Sequence, residues 1–168
     1  QATLDLKEKV DRGDFDAALD ARGASFADSV RNFHQMTNPN PSVEPKGKRI
    51  AIVHGGGLAP GMNPAVRAAV RLGLARGYTM LGVDNSFVGL ADNCVRELKW
   101  EDVEGWTDEG GCYLGTKRWV PGVEHLYSIN RTLETNEIDA LLVIGGYNAY
   151  EAAYMMVTEQ TRYPSFNI

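Results

Sequence analysis

The sequence predicts an α/β fold: a mostly parallel sheet with helices on both faces, preceded by a helical connecting segment and a linker. Three observations carry this. The runs Arg49–Val53, Thr79–Val83 and Ala140–Ile144 are short, apolar and rich in β-branched or aliphatic residues, the composition of strands buried on both faces. Between them, apolar residues recur at helical spacing. The first and last runs also end in glycines, Gly55-Gly56-Gly57 and Gly145-Gly146. Strands alternating with helices form a parallel sheet through right-handed crossovers, and such sheets gather ligands beyond the carboxyl ends of their strands. Both glycine-rich turns therefore fall on one edge.

In chain order, residues 1–36 read as a helical connecting segment. Leu4–Arg12 and Asp14–Met36 are predicted helices separated by Gly13, with Asp14 as a cap. Phe15, Leu19, Phe26, Val30 and Phe33 recur on one face of the second helix, which should dock on something. Residues 37–48, TNPNPSVEPKGK, hold three prolines and read as a linker. The α/β domain occupies 49–168. After the first strand, Asn63 suits a helix N-cap and Pro64 the first helical position, with Gly77 as a stop. Asp84–Asn93 is predicted as a loop, Cys94–Leu98 as a short edge strand and Glu101–Thr107 as a short helix. Leu114–Gly122 is a loop carrying Lys117 and Arg118. Val123, Leu126, Ile129 and Leu133 mark an amphipathic helix, and Ala149, Ala152, Ala153, Met156 and Val157 another. Ser165–Ile168 reads as the first half of a further strand, and the absence of an initiator Met as the mark of a fragment or processed product.

Composition narrows the function. The 168 residues are 43% hydrophobic, enough for a core, and the net charge of −5 argues against a general nucleic-acid binder. No apolar run reaches membrane-spanning length, and the charged start is not a signal peptide. Cys94 and Cys112 fit no zinc spacing, so reduced thiols in the cytoplasm are expected. His34, His54 and His125 make no ligand set.

The chemistry-bearing stretch is His54–Asn63, HGGGLAPGMN, between a strand and a helix. Consecutive glycines let backbone approach a ligand, and the free N–H groups and positive dipole end of a helix favour an anion. A tight turn with no ligand fits the same residues. The spacing is neither GxGxxG nor the GxxxxGK[ST] loop. A nicotinamide-dependent dehydrogenase would need the former, although Asp84 could supply its acid. Arg118 is the cation placed to reach this edge, with a solvated loop arginine as the plain alternative.

Three motifs, GGGLAPGMNPAVRAAVR, GGCYLGTKR and IDALLVIGGYNAYEA, occur in an order and spacing that resemble ATP-dependent 6-phosphofructokinase. The match runs from Arg49 to the end of the chain. The preceding FDAALDARGASF and proline linker resemble the connection between halves of fused, double-length enzymes of eukaryotic type. The resemblance implies a phosphofructokinase-like, Rossmann-like domain from the C-terminal, regulatory half of a cytoplasmic glycolytic enzyme. It also implies a homo-oligomer in which this segment joins a catalytic half of the same chain. That catalytic half would use Mg2+ and ATP on fructose 6-phosphate, and this segment none of its own.

The departures support that assignment. Catalytic halves read GGDGS where this chain has Gly145, Gly146, Tyr147, Asn148 and Ala149, and GGDAPGMN where it has Gly56, Gly57 and then Leu58. Tyrosine cannot replace an anionic oxygen ligand for Mg2+, and its ring is expected in the phosphate space. The family's catalytic aspartate would follow Ile168, so no catalytic residue is assigned. Arg118 matches an arginine that in regulatory halves binds a phosphate of the sugar-bisphosphate effector, fructose 2,6-bisphosphate. Arg67 and Arg71 match effector-phosphate positions of bacterial enzymes, or form a solvated face or a subunit contact. A self-contained sugar-phosphate kinase using its own glycine loops is the alternative.

Overall fold

A computed structural model describes residues 2–39 and 42–167. The chain forms two compact units, Gln1–Pro41 and Ser42–Ile168. In the first, α1 (Ala2–Asp11), α2 (Phe15–Asp20) and α3 (Ala24–Thr37) follow one another. Asp14 caps α2 as expected, its carboxylate accepting from the Ala17 N–H at 3.1 Å. The predicted single helix over Asp14–Met36 is two, because the chain turns at Gly23 with φ +100°. Arg31 ties α3 back to α2 through Asp20 at 2.8 Å. Only Ala18 and Ala27 are buried in these two helices, while Phe15, Phe26 and Phe33 remain exposed.

The second unit contains β1 (Arg49–Gly55), α4 (Met62–Ala75), β2 (Thr79–Val83), α5 (Ser86–Ala91), β3 (Val95–Glu97), α6 (Leu126–Thr135), β4 (Ala140–Gly145) and α7 (Tyr147–Thr158). The sheet order is β3-β2-β1-β4, with β1 parallel to both neighbours and β3 antiparallel at the edge. Side chains alternate across β1 as the pleat requires. Ala51 and Val53 pack with Phe87, Leu90, Leu126, Ile129 and Met156 beneath α5, α6 and α7. Ile52 packs with Val66 and Val70 of α4 and with Leu98, Val103, Trp106 and Leu114 on the other face. Asp139 aligns the strand starts: its carboxylate accepts from the Arg49 N–H and from Lys48 Nζ, each at 2.8 Å.

Four local expectations are corrected. Residues 86–91 are helical inside the predicted loop Asp84–Asn93, entered through Asn85 and Ser86, both at positive φ. Glu101–Thr107 is a succession of turns rather than a helix, because Val103 and Trp106 fold onto the α4 face from irregular backbone. Pro164–Phe166 is a 3-10 turn where a strand was expected, with Phe166 buried against the α7 side; Ile168 lies outside the described residues. Finally, α4 starts at Met62 after Gly61, so Asn63 is inside the helix and not its cap.

Candidate functional site

The carboxyl ends of β1 and β4 enclose a cavity of about 490 Å³ lined by Gly57, Ala59, Pro60, Gly61, Met62, Ile144, Gly145 and Gly146. The strand ends approach so closely that a Cβ on Gly145 would fall 1.9 Å from the Gly55 carbonyl oxygen. Only glycine fits there. The N-terminal ends of α4 and α7 both open at this cavity, at Met62 and just after Gly146. Their unpaired N–H groups and dipoles create a positive potential without any side chain.

The loop before α6 supplies the cation. Gly56 N–H donates to the Lys117 carbonyl at 2.7 Å, and Thr116 Oγ1 donates to the Gly56 carbonyl at 3.0 Å. Beside this two-point clasp the Arg118 guanidinium turns an edge to Gly57, with Nη2 3.0 Å from where a Cβ would stand. Arg118 and Lys117 are both exposed. Sequence reasoning brought Arg118 to this edge, and the structure places it against the first glycine loop.

Asn63 holds the same loop further back. Its Nδ2 donates to the Glu109 and Gly110 carbonyls, each at 3.1 Å, and its Oδ1 accepts from the Tyr113 N–H at 2.7 Å. This side chain, predicted as a helix cap, is instead a buried clamp on a segment about fifty residues away. A polar residue just inside the helix start was the available signal, but its partner was not readable. A second anchor is the pair His54 and Cys112, with Nδ1 and Sγ 2.6 Å apart. Burial lowers the His54 pKa and raises that of Cys112.

The remaining predicted residues are not brought together with these. Arg67 is half-buried in α4. Arg71, only 5% exposed, stacks its guanidinium 4.5 Å over the Trp100 ring. Burial and the neighbouring Arg67 lower its pKa, partly offset by Glu104 and Glu101. At about 1.5 Å rise per residue, Arg71 lies roughly 14 Å along α4 from Met62. Leu58, at 68% exposed, stands out from the loop. Tyr147, at 79% exposed, begins a solvent-facing stripe with Tyr150 and Tyr154. Its ring does not line the cavity, contrary to expectation, because the first position of α7 directs it outward onto that stripe.

The lining offers no carboxylate, and the positions flanking the glycines carry Leu58 and Tyr147. Among the described residues no cluster of three or more His, Cys, Asp or Glu side chains is placed to hold a metal ion. This donor set does not fit magnesium, whose hard oxygen ligands are supplied by carboxylates.

Residues 49–168 match the family pattern described as Phosphofructokinase. The chain belongs to the phosphofructokinase family. It is 42% identical over 163 residues to the liver-type ATP-dependent 6-phosphofructokinase of Rattus norvegicus, covering 97% of this chain and 21% of that protein. Against the platelet-type enzyme of Rattus norvegicus the identity is 36% over 168 residues, covering 99% of this chain and 21% of that one. The phosphofructokinase structure from Saccharomyces cerevisiae superposes with a TM-score of 0.88 at 30% identity, over 99% of this chain and 23% of that one. The T-state enzyme from Pichia pastoris gives 0.83 at 34%, over 99% and 18%. The mostly parallel sheet with its helices is thus the phosphofructokinase fold. The chain spans about a fifth of the length of the curated relatives it matches. No helix among the described residues is long and apolar enough to cross a membrane.

Proposed function

We propose that this phosphofructokinase segment belongs to the regulatory half of a fused, cytoplasmic 6-phosphofructokinase, and that its cavity binds one phosphate of a sugar-bisphosphate effector. The observation that carries the reading is a glycine-loop cavity with Arg118 against Gly57 of its lining and Leu58 and Tyr147 where metal-binding acids would be needed. Phosphoryl transfer depends on metal ions and fixed charges around the moving group. Binding a finished phosphate ester needs less: backbone N–H groups at two helix starts and a guanidinium able to grip two oxygens. In this reading the whole protein transfers the γ-phosphate of ATP to fructose 6-phosphate in a catalytic half that carries its own Mg2+ and ATP. The present segment tunes that half through the assembled homo-oligomer. Leu58 and Tyr147 weigh against a self-contained sugar-phosphate kinase.

The test is activation of the full-length enzyme by fructose 2,6-bisphosphate. Arg118→Ala should raise the half-activating concentration about tenfold, the scale of one charge-assisted hydrogen bond from an exposed side chain, and leave the unactivated maximal rate unchanged. Lys117→Ala should do much less. Collapse of the maximal rate with activation intact would assign the loop to a catalytic site instead.

A further inference from the structure

A second cavity, sharing no lining residue with the glycine-loop cavity, lies between α6 and the end of α5. Its volume is about 280 Å³, below the roughly 300–1,000 Å³ of pockets that take drug-sized ligands. One wall is a face of α6, where Ser128, Arg131, Thr132 and Thr135 follow one another at helical spacing. The other holds Asp92 and Asn93, just past the end of α5. Asn136 ties the two walls together: its Nδ2 donates to Asn93 Oδ1 at 2.7 Å and to the Thr132 carbonyl at 2.9 Å. Thr132 is only 3% exposed, yet its Oγ1 has no hydrogen-bond partner among the described residues. A buried hydroxyl left without a partner is costly, and a ligand in this cavity satisfies it. Arg131 and Asp92 are both exposed. Among the described residues no ion pair joins them, so their charged ends stand more than 4.0 Å apart.

We propose that this cavity is a binding site for a zwitterionic α-amino acid with a short polar side chain. The two unpaired charges select the class. A simple anion pairs with Arg131 but meets the Asp92 carboxylate, and a simple cation meets the reverse. A neutral polyol takes the hydroxyls and leaves both charges unanswered. An α-amino acid brings a carboxylate for the Arg131 guanidinium, which can grip two oxygens, and an ammonium group for Asp92. The rest of the lining is hydroxyl and amide. Asn136 already occupies Asn93 Oδ1, which leaves Asn93 Nδ2 to donate, and Ser128, Thr132 and Thr135 can each donate or accept. A hydroxyl on the ligand's side chain therefore finds partners where an apolar one does not. The site draws on no residue of the glycine loops and is independent of the function proposed above.

The probe is L-serine, titrated into the 168-residue chain and followed by calorimetry and by the backbone amide signals of Asn93, Thr132, Gly57 and Gly146. The expected result is saturable binding with a Kd of about 1 mM, a modest demand on so small a ligand. The Asn93 and Thr132 signals should shift, and those of Gly57 and Gly146 should not. L-serinamide, L-glycerate and glycerol keep the skeleton and lack the carboxylate, the ammonium group, and both; each should bind about tenfold more weakly or worse. Arg131→Ala and Asp92→Asn should each weaken L-serine about tenfold. Thr132→Val tests the buried hydroxyl apart from folding: the empty chain should melt no lower than wild type, while its affinity for L-serine falls several-fold. No saturable binding up to about 20 mM would overturn the proposal. So would L-glycerate, L-serinamide or glycerol binding as tightly as L-serine, which would make the cavity an anion, cation or polyol site. Shifts confined to Gly57 and Gly146, or a Thr132→Val chain that melts lower and binds L-serine as well as wild type, would also overturn it.

Discussion

The Nε–Nη2 edge of the Arg118 guanidinium faces Gly57, with Nη2 3.0 Å and Nε 3.3 Å from the position a Cβ would take. The absence of a side chain at Gly57 thus sets where the cation sits, although the two residues are far apart in sequence. Gly57→Ala should displace Arg118 rather than unfold the loop, because the atoms met are the far end of a flexible side chain. The expected outcome is a several-fold weaker response of the full-length enzyme to fructose 2,6-bisphosphate, with a melting temperature close to wild type.

Asn63 makes three hydrogen bonds to the 109–113 segment while almost fully buried. Asn63→Ala would leave two carbonyls and one N–H without their partner. Each unsatisfied buried group costs about 1–3 kcal/mol, and partial hydration of the loop should hold the total to about 2–4 kcal/mol. Chemical denaturation measures it. A loss below about 0.5 kcal/mol would show that the clamp is dispensable.

Ser86 has φ +69° and is fully buried, and its Oγ has no hydrogen-bond partner among the described residues. Glycine adopts that backbone region freely and has no hydroxyl to desolvate. Ser86→Gly should therefore stabilise the chain by about 1 kcal/mol, against the usual trend for substitutions to glycine. A thermal melt decides the sign.

Asp139 has its pKa held down by the Lys48 hydrogen bond and by the Arg49 N–H, and Lys48 is raised in turn. A carboxyl group with a folded pKa below its unfolded one stabilises the protein above the ordinary carboxylate range, and that contribution disappears as pH falls through the folded value. Asp139→Asn should be less stable than wild type at pH 7. The difference should shrink progressively as pH falls through the lowered folded value, as read from denaturation midpoints over a series from pH 7 to about pH 2. A gap that persists in acid would mean that packing, not charge, was lost.

The three parallel strands were legible from their short apolar, β-branched runs. Burial on both faces, however, holds for the core of β1 and not for β4, which lies at the sheet edge with Leu142 39% exposed. Arg118 was legible as a basic loop residue in a motif, and the family from the order of three motifs. These are local signals, readable wherever short-range sterics and hydrophobic periodicity decide the conformation. The helix at 86–91 was missed because it starts from two residues held at positive φ, an arrangement that neighbouring packing imposes against local preference. The turns at 101–107 carry apolar residues that any helix or loop could bury. Only the tertiary structure decided that Asn63 clamps a distant loop, that Arg71 is committed to Trp100, that the Tyr147 ring leaves the cavity open, and that His54 meets Cys112. Each depends on which groups the folded chain brings together and which it turns to solvent. Sequence separation does not encode that distance; the closing of the sheet does.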